Sequence, residues 1–159
     1  YDNSIRYTDN FLARIIHLLK QQQVDASMLY TSDHGEDIFD DGRHLFLHAS
    51  PVPSYYQLHV PLLLWTSDSY REEYPGIEKA ASMNRQKNIS SSISFFQTMM
   101  ELAGIETPYR NDSLSVTSPL YTEKSRVYLN DHNEPRPLDD IGMRKEDFEM
   151  LKKRGIDAQ

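Results

Sequence analysis

The sequence predicts an α/β domain with a mostly parallel central sheet. Helical and strand segments alternate along the chain, and residues 60–65 form an apolar run without polar alternation. Such a run is typical of a strand that is covered on both faces, as strands of parallel sheets are. A polar motif follows the first predicted strand directly, and ligands of these sheets bind at the carboxyl ends of strands. We therefore expect the functional site at that motif.

The first half of the chain begins with an amphipathic helix over residues 3–22, in which apolar residues recur at helical spacing. Its apolar stripe consists of Ile5, Leu12, Ile15, Ile16 and Leu19. Residues 26–31 predict a short buried strand. Residues 33–58 lack periodicity, which is typical of a long functional loop. Residues 58–66 predict a second strand, whose pairing begins after Pro61 because proline has no N–H to donate.

The second half predicts further helices and one strand. Residues 68–80 indicate a surface segment with a short helix, and residues 88–103 a longer helix that ends at Gly104. Residues 126–129 predict a third strand, which is followed by a polar turn over residues 130–137. Residues 146–153 predict a short last helix with a basic end.

Composition excludes several classes of function. The 159 residues carry a net charge of −7 and a pI near 5.3, which argues against nucleic-acid binding because that function needs a basic surface. Cysteine is absent, so a metal would be bound by His, Asp, Glu or hydroxyl groups. No apolar run approaches the length of a membrane span. The chain opens on Tyr1 and at once enters a helical pattern, so we interpret it as a portion of a longer protein.

Asp33-His34-Gly35 is the strongest chemical signal in the sequence. Carboxylate oxygen and neutral imidazole nitrogen are both zinc ligands. Neighbouring side chains of a strand point to opposite faces, so both can reach one ion only where the chain curls, and Gly35 permits that turn. The alternative is that Asp33 caps a helix and His34 is a surface residue. The spacing alone leaves both interpretations open.

Other histidines and one carboxylate are further candidates. His48 follows a short apolar segment, Phe46-Leu47, that could hold its ring beside a metal or a phosphoryl group. Weaker candidates for orienting a ligand or contacting substrate are Glu36, His44 and His59. For Glu36 the alternative is that it neutralises a helix start. For His44 we favour a loop residue, and for His59 a buried side chain bonded to backbone.

Four motifs occur in a fixed order along the first two thirds of the chain. They are Tyr1-Asp2-Asn3-Ser4-Ile5-Arg6-Tyr7-Thr8-Asp9, Leu29-Tyr30-Thr31-Ser32-Asp33-His34-Gly35-Glu36, Phe46-Leu47-His48-Ala49-Ser50-Pro51 and His59-Val60-Pro61-Leu62-Leu63-Leu64-Trp65. This series resembles the lipid A phosphoethanolamine transferases, within the sulfatase and alkaline phosphatase superfamily. The resemblance covers about residues 1–105. It implies an alkaline phosphatase-like sandwich of which residues 1–159 are only the C-terminal portion, with residues 106–159 as an extension.

The resemblance also implies a function. In the family, a Thr nucleophile takes phosphoethanolamine from a phospholipid donor and passes it to a lipopolysaccharide acceptor, lipid A or a core sugar. The family's zinc-binding Asp-His pair corresponds to Asp33 and His34, and its later phosphoryl-contacting or second-zinc His corresponds to His48. The Thr nucleophile and a Glu zinc ligand have no counterpart in this chain. We therefore expect an incomplete Zn²⁺ site and no activity of the chain by itself.

The same resemblance implies a periplasmic catalytic domain held at the inner membrane by helices that precede it. A sheet that lacks strands would also expose an edge that favours self-association. Two alternatives stay open at this point. One is a sulfatase of the same superfamily, which would need a Cys or Ser precursor of formylglycine upstream. The other is a non-catalytic module that binds a ligand or a partner.

Overall fold

A computed structural model describes residues 1–48, 52–129, 132 and 134–156 of the chain. It contains both helices and strands, in agreement with the predicted combination of helix and sheet. The helices are α1 (Asp2–Gln22), α2 (Tyr55–Leu58), α3 (Asp68–Glu73), α4 (Pro75–Asn84), α5 (Ser91–Leu102) and α6 (Lys145–Lys153). The strands are β1 (Ser27–Thr31), β2 (Asp37–Ile38), β3 (Phe46–Leu47), β4 (Leu62–Thr66), β5 (Val127–Leu129) and β6 (Pro135–Pro137).

The described strands form three antiparallel pairs, and in this respect the structure corrects the expectation of mostly parallel pairing. β1 pairs with β4, with Leu29 opposite Leu64, while β2 pairs with β3 and β5 with β6. The described part of the connection between β1 and β4 contains only two short strands and the single turn of α2. Without a longer helix to carry it across the sheet, the chain returns at the end where it left, and β4 runs back beside β1.

Most predicted elements lie within a few residues of their expected positions. α1 spans the predicted helix, although none of its residues is buried and Ile5 is exposed. β4 begins directly after Pro61, as predicted, and Ser90 is the N-cap of α5. β4 is covered less than expected, because Leu63 remains 38% exposed.

The region from β5 to α6 differs more from expectation. Residues 130–137 were expected as a polar turn, and they lie partly outside the described residues. Their last part forms β6, whose two prolines are compatible with a strand that pairs along one edge. The expected surface segment over residues 68–80 forms two consecutive helices, α3 and α4.

The last helix packs against the segment that precedes β4. A small apolar cluster joins α6 to α2, and each of its central side chains is at most 7% exposed. These side chains are Tyr55, Leu138, Met143 and Leu151. Their burial fixes α6 on the loop between β2 and β4, since apolar surface removed from water is the main stabilising contribution in such contacts.

A second packed region joins α4 and α5 to residues 115–121 and contains none of the residues of the α6 cluster. Asn84, which is 1% exposed, donates from its side-chain amide to the carbonyls of Val116 and Ser118 at 3.0 and 2.8 Å. Tyr70 donates its hydroxyl to the carbonyl of Leu102 at 2.8 Å. Buried polar groups here are satisfied, as a stable core requires.

Candidate functional site

Asp33 and His34 follow β1 side by side. Asp33 Oδ2 lies 3.7 Å from His34 Nε2. Two atoms that each lie about 2.1 Å from one zinc ion are at most about 4.2 Å apart, so this distance allows a shared ion. His34 Nδ1 is 3.0 Å from the carbonyl of Gly35. When Nδ1 donates to that carbonyl, Nε2 keeps the lone pair that a metal needs.

The helix-cap alternative for Asp33 does not describe its observed contacts. Its Oδ1 accepts from the backbone N–H of His34 at 3.1 Å, and the next element is β2, not a helix. The backbone hydrogen bond from His34 is the main cause that lowers the pKa of Asp33 below its ordinary value, with smaller contributions from its own N–H and from the charge of His34. The exposed Asp33 side chain is therefore an ionised carboxylate at neutral pH.

His34, Glu36 and His48 form a cluster at the same end of β1. The rings of His34 and His48 are 3.9 Å apart between centroids and tilted by 34°. His48 Nδ1 lies 2.8 Å from Glu36 Oε1, whereas His34 Nδ1 lies 3.9 Å from the same oxygen. One ligand atom of each residue lies within 4.8 Å of those of the other two. Glu36 therefore contacts His48 more closely than His34, the residue it was expected to orient.

The short β2–β3 pair is what brings this cluster together. Asp37 lies opposite Leu47 in the antiparallel register. Glu36 precedes the first of these residues and His48 follows the second, so antiparallel pairing places them beside each other. Strands of two residues are too short for alternation to be visible, so the contact between Glu36 and His48 could not be predicted from spacing.

The turn of α2 contacts the Asp33-His34-Gly35 motif through the backbone. Gly35 donates its N–H to the carbonyl of Gln57 at 2.8 Å. A Cβ on Gly35 would overlap the carbonyl oxygen of Tyr56. The φ of Gly35 lies outside the left-handed region. Glycine is thus required here for close backbone approach, and not for the unusual turn that the sequence suggested.

Asp37 is a buried carboxylate that holds α2 in this position. It is 2% exposed and accepts from Ser54 Oγ at 2.6 Å and from the side-chain amide of Gln57. Ser54 is also the N-cap of α2, since its hydroxyl accepts from the N–H of Gln57 at 3.3 Å. Sequence reasoning missed Ser54 and Gln57, although a Ser directly before a helical turn is a recognisable cap signal.

Two of the weaker candidates lie outside the cluster. His44 is exposed and in the left-handed region, with φ of 53°, and its backbone N–H donates to the carbonyl of Asp41. His59 was expected as a buried side chain bonded to backbone, and the structure corrects this. The residue is exposed, and Nδ1 lies 2.7 Å from the hydroxyl of Tyr55. Tyr55 and His59 are four residues apart, so the turn of α2 places their side chains on one face.

We expect His59 to make the stability of the fold depend on pH. Although the residue is exposed, partial desolvation of its ring lowers the pKa of His59 below its ordinary value of 6.5, and the charges of Arg154 and Arg126 lower it further. Between pH 6.5 and the lowered pKa, the unfolded chain binds a proton at His59 and the folded chain does not. The free energy of unfolding therefore decreases as the pH decreases through this range. The slope contributed by one such group is at most about 1.4 kcal/mol per pH unit.

Urea denaturation of His59→Gln over this pH range measures that contribution. The variant should show a flatter dependence of unfolding free energy on pH than the unsubstituted chain. His17→Gln removes an exposed imidazole of α1 and is the matched control. Equal slopes for His59→Gln and the unsubstituted chain would contradict the assignment.

Residues 1–105 match the family model described as Sulfatase. The chain belongs to the sulfatase family. This sulfatase-family chain is 33% identical over 124 residues to the phosphoethanolamine transferase EptA of Salmonella typhimurium, which covers 75% of the chain and 22% of that protein. The resemblance to phosphoethanolamine transferases that the four motifs indicated is thereby confirmed.

Solved structures of similar proteins show the same fold. The C-terminal periplasmic domain of EcEptC from Escherichia coli has a TM-score of 0.67 and 26% identity, and it covers 76% of this sulfatase-family chain and 33% of that one. A zinc complex of the EcEptC domain has a TM-score of 0.63 and 23% identity, and it covers 86% of this chain and 38% of that one. The predicted alkaline phosphatase-like architecture, present only in part, is confirmed. The chain spans about a fifth of the EptA relative and about a third of the solved domains.

Proposed function

We propose that the chain supplies the C-terminal part of the catalytic domain of a zinc-dependent transferase, which moves phosphoethanolamine from a phospholipid to lipopolysaccharide. The observation that supports this most is the meeting of Asp33, His34, Glu36 and His48 at one end of β1. The similarity to a phosphoethanolamine transferase covers three quarters of the chain, and the match to the sulfatase family over residues 1–105 includes all four of these residues. The acceptor, lipid A or a core sugar, follows from the resemblance of the four motifs.

The residues present fit zinc. Their donor atoms are imidazole nitrogens and carboxylate oxygens, which zinc accepts without any thiolate. Glu36 Oε2 is buried and makes no hydrogen bond within the described part of the chain. A buried oxygen of this kind indicates a cation or water beside it. In the proposal Asp33 and His34 hold the zinc, and further ligands come from parts of the protein outside residues 1–159. Bound zinc would polarise a phosphoryl oxygen and lower the pKa of an attacking hydroxyl.

His48 has the geometry to contact the transferred phosphoryl group. Glu36 Oε1 accepts from Nδ1 of His48 at 2.8 Å, which fixes the orientation of the ring. In the proposal the other ring nitrogen, Nε2, donates to a phosphoryl oxygen. A positioned donor of this kind stabilises charge that develops on the oxygen in the transition state.

The setting of the reaction is also part of the proposal. The solved domains of similar fold are named periplasmic, and we propose a periplasmic catalytic domain anchored at the inner membrane by segments outside this chain. Within the described residues, no helix combines the length and apolar character needed to span a bilayer. We further propose that the chain by itself binds zinc weakly and has no turnover, because two ligands give an incomplete site. β1 and β4 each have an edge that no described strand covers, which could support self-association.

Asp33→Ala and His34→Ala, each in the complete protein that carries this chain, test the assignment. We expect loss of stoichiometric zinc and a fall in transfer of phosphoethanolamine of at least about 100-fold, since even residues behind the metal ligands contribute about 10- to 100-fold. Zinc is measured by elemental analysis, and turnover with a fluorescent phosphatidylethanolamine donor.

His17→Ala is the control, because it removes an exposed imidazole of α1 that is not part of the cluster. Retained zinc and retained turnover in both variants would exclude these residues as ligands. Hydrolysis of a sulfate ester without transfer would favour the sulfatase alternative. Bound zinc with no turnover of either substrate would favour a non-catalytic module.

A further inference from the structure

α6 places one carboxylate, Asp147, inside the loop between β2 and β4. The Asp147 side chain is 1% exposed. Its Oδ2 accepts from Arg43 Nη1 at 2.6 Å and its Oδ1 from Arg43 Nη2 at 3.0 Å. Oδ1 also accepts from the backbone N–H of Tyr55 at 2.9 Å. Asp147 therefore holds the loop at two points, one before His48 and one after it.

Arg43 lies between two carboxylates. Its Nε donates to both oxygens of Asp41 at 3.0 and 2.8 Å. Nη1 donates to Asp147, and Nη2 donates both to Asp147 and to Asp41 Oδ2. The side-chain hydrogen bonds to Asp41 and then to Asp147 raise the pKa of Arg43 above its ordinary value. The guanidinium is rigid and planar, so a bidentate contact on two of its edges fixes both distance and angle.

The contact at Tyr55 is connected directly to the candidate site. The N–H of Tyr55 belongs to the first turn of α2, and the carbonyl of Gln57 in the same turn accepts from Gly35. Gly35 follows His34 in the chain. Arg43, the other residue that Asp147 contacts, precedes β3 and His48 along the chain. Asp147 thus acts on both segments that bear the clustered side chains.

Apolar contacts attach α6 to the loop in addition to this carboxylate. The apolar cluster of Tyr55, Leu138, Met143 and Leu151 already buries the face of α6 against α2. A buried ion pair contributes little net stability, because desolvation offsets the attraction, but it permits few alternative arrangements. The geometry is what a positioning contact requires: apolar residues attach the helix, and the charged pair sets its register on the loop.

We propose that Asp147 is a positioning residue, which holds the loop so that His48 and the Asp33-His34 motif keep their mutual geometry. The inference rests on the proposed function and extends it. It gives α6, which lies beyond the residues matched to the sulfatase family, a role in the site.

Asp147→Asn in the complete protein tests this, with Asn84→Ala as the matched control. Asn84 is equally buried, and its side-chain amide donates two hydrogen bonds to the carbonyls of Val116 and Ser118, which lie outside the loop over residues 33–59. Hydrogen exchange of peptides covering residues 33–36 and 54–58 is measured together with melting temperature, zinc content and kcat. We expect Asp147→Asn to speed exchange in both peptides and to lower kcat by about tenfold or more, the range seen for residues that orient metal ligands. Asn84→Ala should lower the melting temperature and leave both the hydrogen exchange of these peptides and kcat unchanged.

Unchanged exchange in Asp147→Asn, or faster exchange with unchanged kcat, would overturn the proposal. A kcat loss of the same size in Asn84→Ala would also overturn it, because the effect would then follow from stability alone. If Asp147→Asn does not fold, R43M/D147L leaves no unpaired buried charge and supports the same comparison. If the unsubstituted protein shows no transfer at all, the proposed function fails, while the exchange measurement still decides whether Asp147 holds the loop.

Discussion

Gly35→Ala is expected to destabilise the fold by at least about 3 kcal/mol, the upper end of the usual cost of overpacking. The added Cβ would overlap a backbone atom, the carbonyl oxygen of Tyr56. That carbonyl cannot move away freely, because the next one, of Gln57, accepts from Gly35 and Asp37 holds the side chain of Gln57. The strain therefore separates the Asp33-His34 motif from α2 or breaks the contacts of α2.

Gly76→Ala is the matched control for this substitution. Gly76 lies in α4, and nothing lies within 4 Å of a Cβ added there. Alanine in a helix is favoured over glycine by about 0.5–1 kcal/mol, so the control should gain stability. Urea denaturation at neutral pH measures both variants. A denaturation midpoint for Gly35→Ala equal to that of the unsubstituted chain would show that the contact between the two backbones is not as close as described.

Arg43→Ala is expected to cost about 3–5 kcal/mol, because it leaves Asp147 buried without its partner. Asp147 is 1% exposed, so water cannot replace the guanidinium without opening the loop. Urea denaturation at neutral pH measures this loss.

The double substitution R43M/D147L isolates the cause. Replacing both partners by apolar side chains removes the unpaired charge, and such replacements are often neutral or stabilising. A double-mutant cycle with urea denaturation should therefore recover most of the loss. Lys145→Ala, in the same helix, disrupts only an exposed pair with Glu149 at 3.6 Å and should change the midpoint little. Equal losses for Arg43→Ala and the double variant would contradict the argument.

The elements that the sequence predicted well are those that local patterns specify. Helical periodicity located α1, and the missing N–H of Pro61 located the start of β4. The site motif was recognisable because Asp33 and His34 directly follow an apolar strand. His48 was recognisable as a candidate from the apolar segment before it, and the resemblance to a family gave it a counterpart that contacts the phosphoryl group or a second zinc. These features are encoded in a few neighbouring residues.

The features that the sequence did not predict depend on distant residues. Arg43 and Asp147 are 104 positions apart, and no periodicity relates them. The strands β2 and β3 have two residues each, too few for alternation to be visible. Strand direction in the β1–β4 pair depends on how the long connection returns, which only the packed loop decides. His59 was assigned to the interior because it precedes an apolar strand, but its ring contacts Tyr55 instead.

The 104-residue separation between Arg43 and Asp147 has a consequence for biosynthesis. At about 5–20 residues per second, a ribosome adds Asp147 roughly 5–20 seconds after Arg43. During this interval all the residues of the cluster are present in the nascent chain, but the ionic contact that orders the loop cannot yet form. A nascent chain at this stage can present imidazoles and carboxylates to metal ions without selecting one arrangement. Final ordering of the cluster therefore waits until Asp147 has been synthesised.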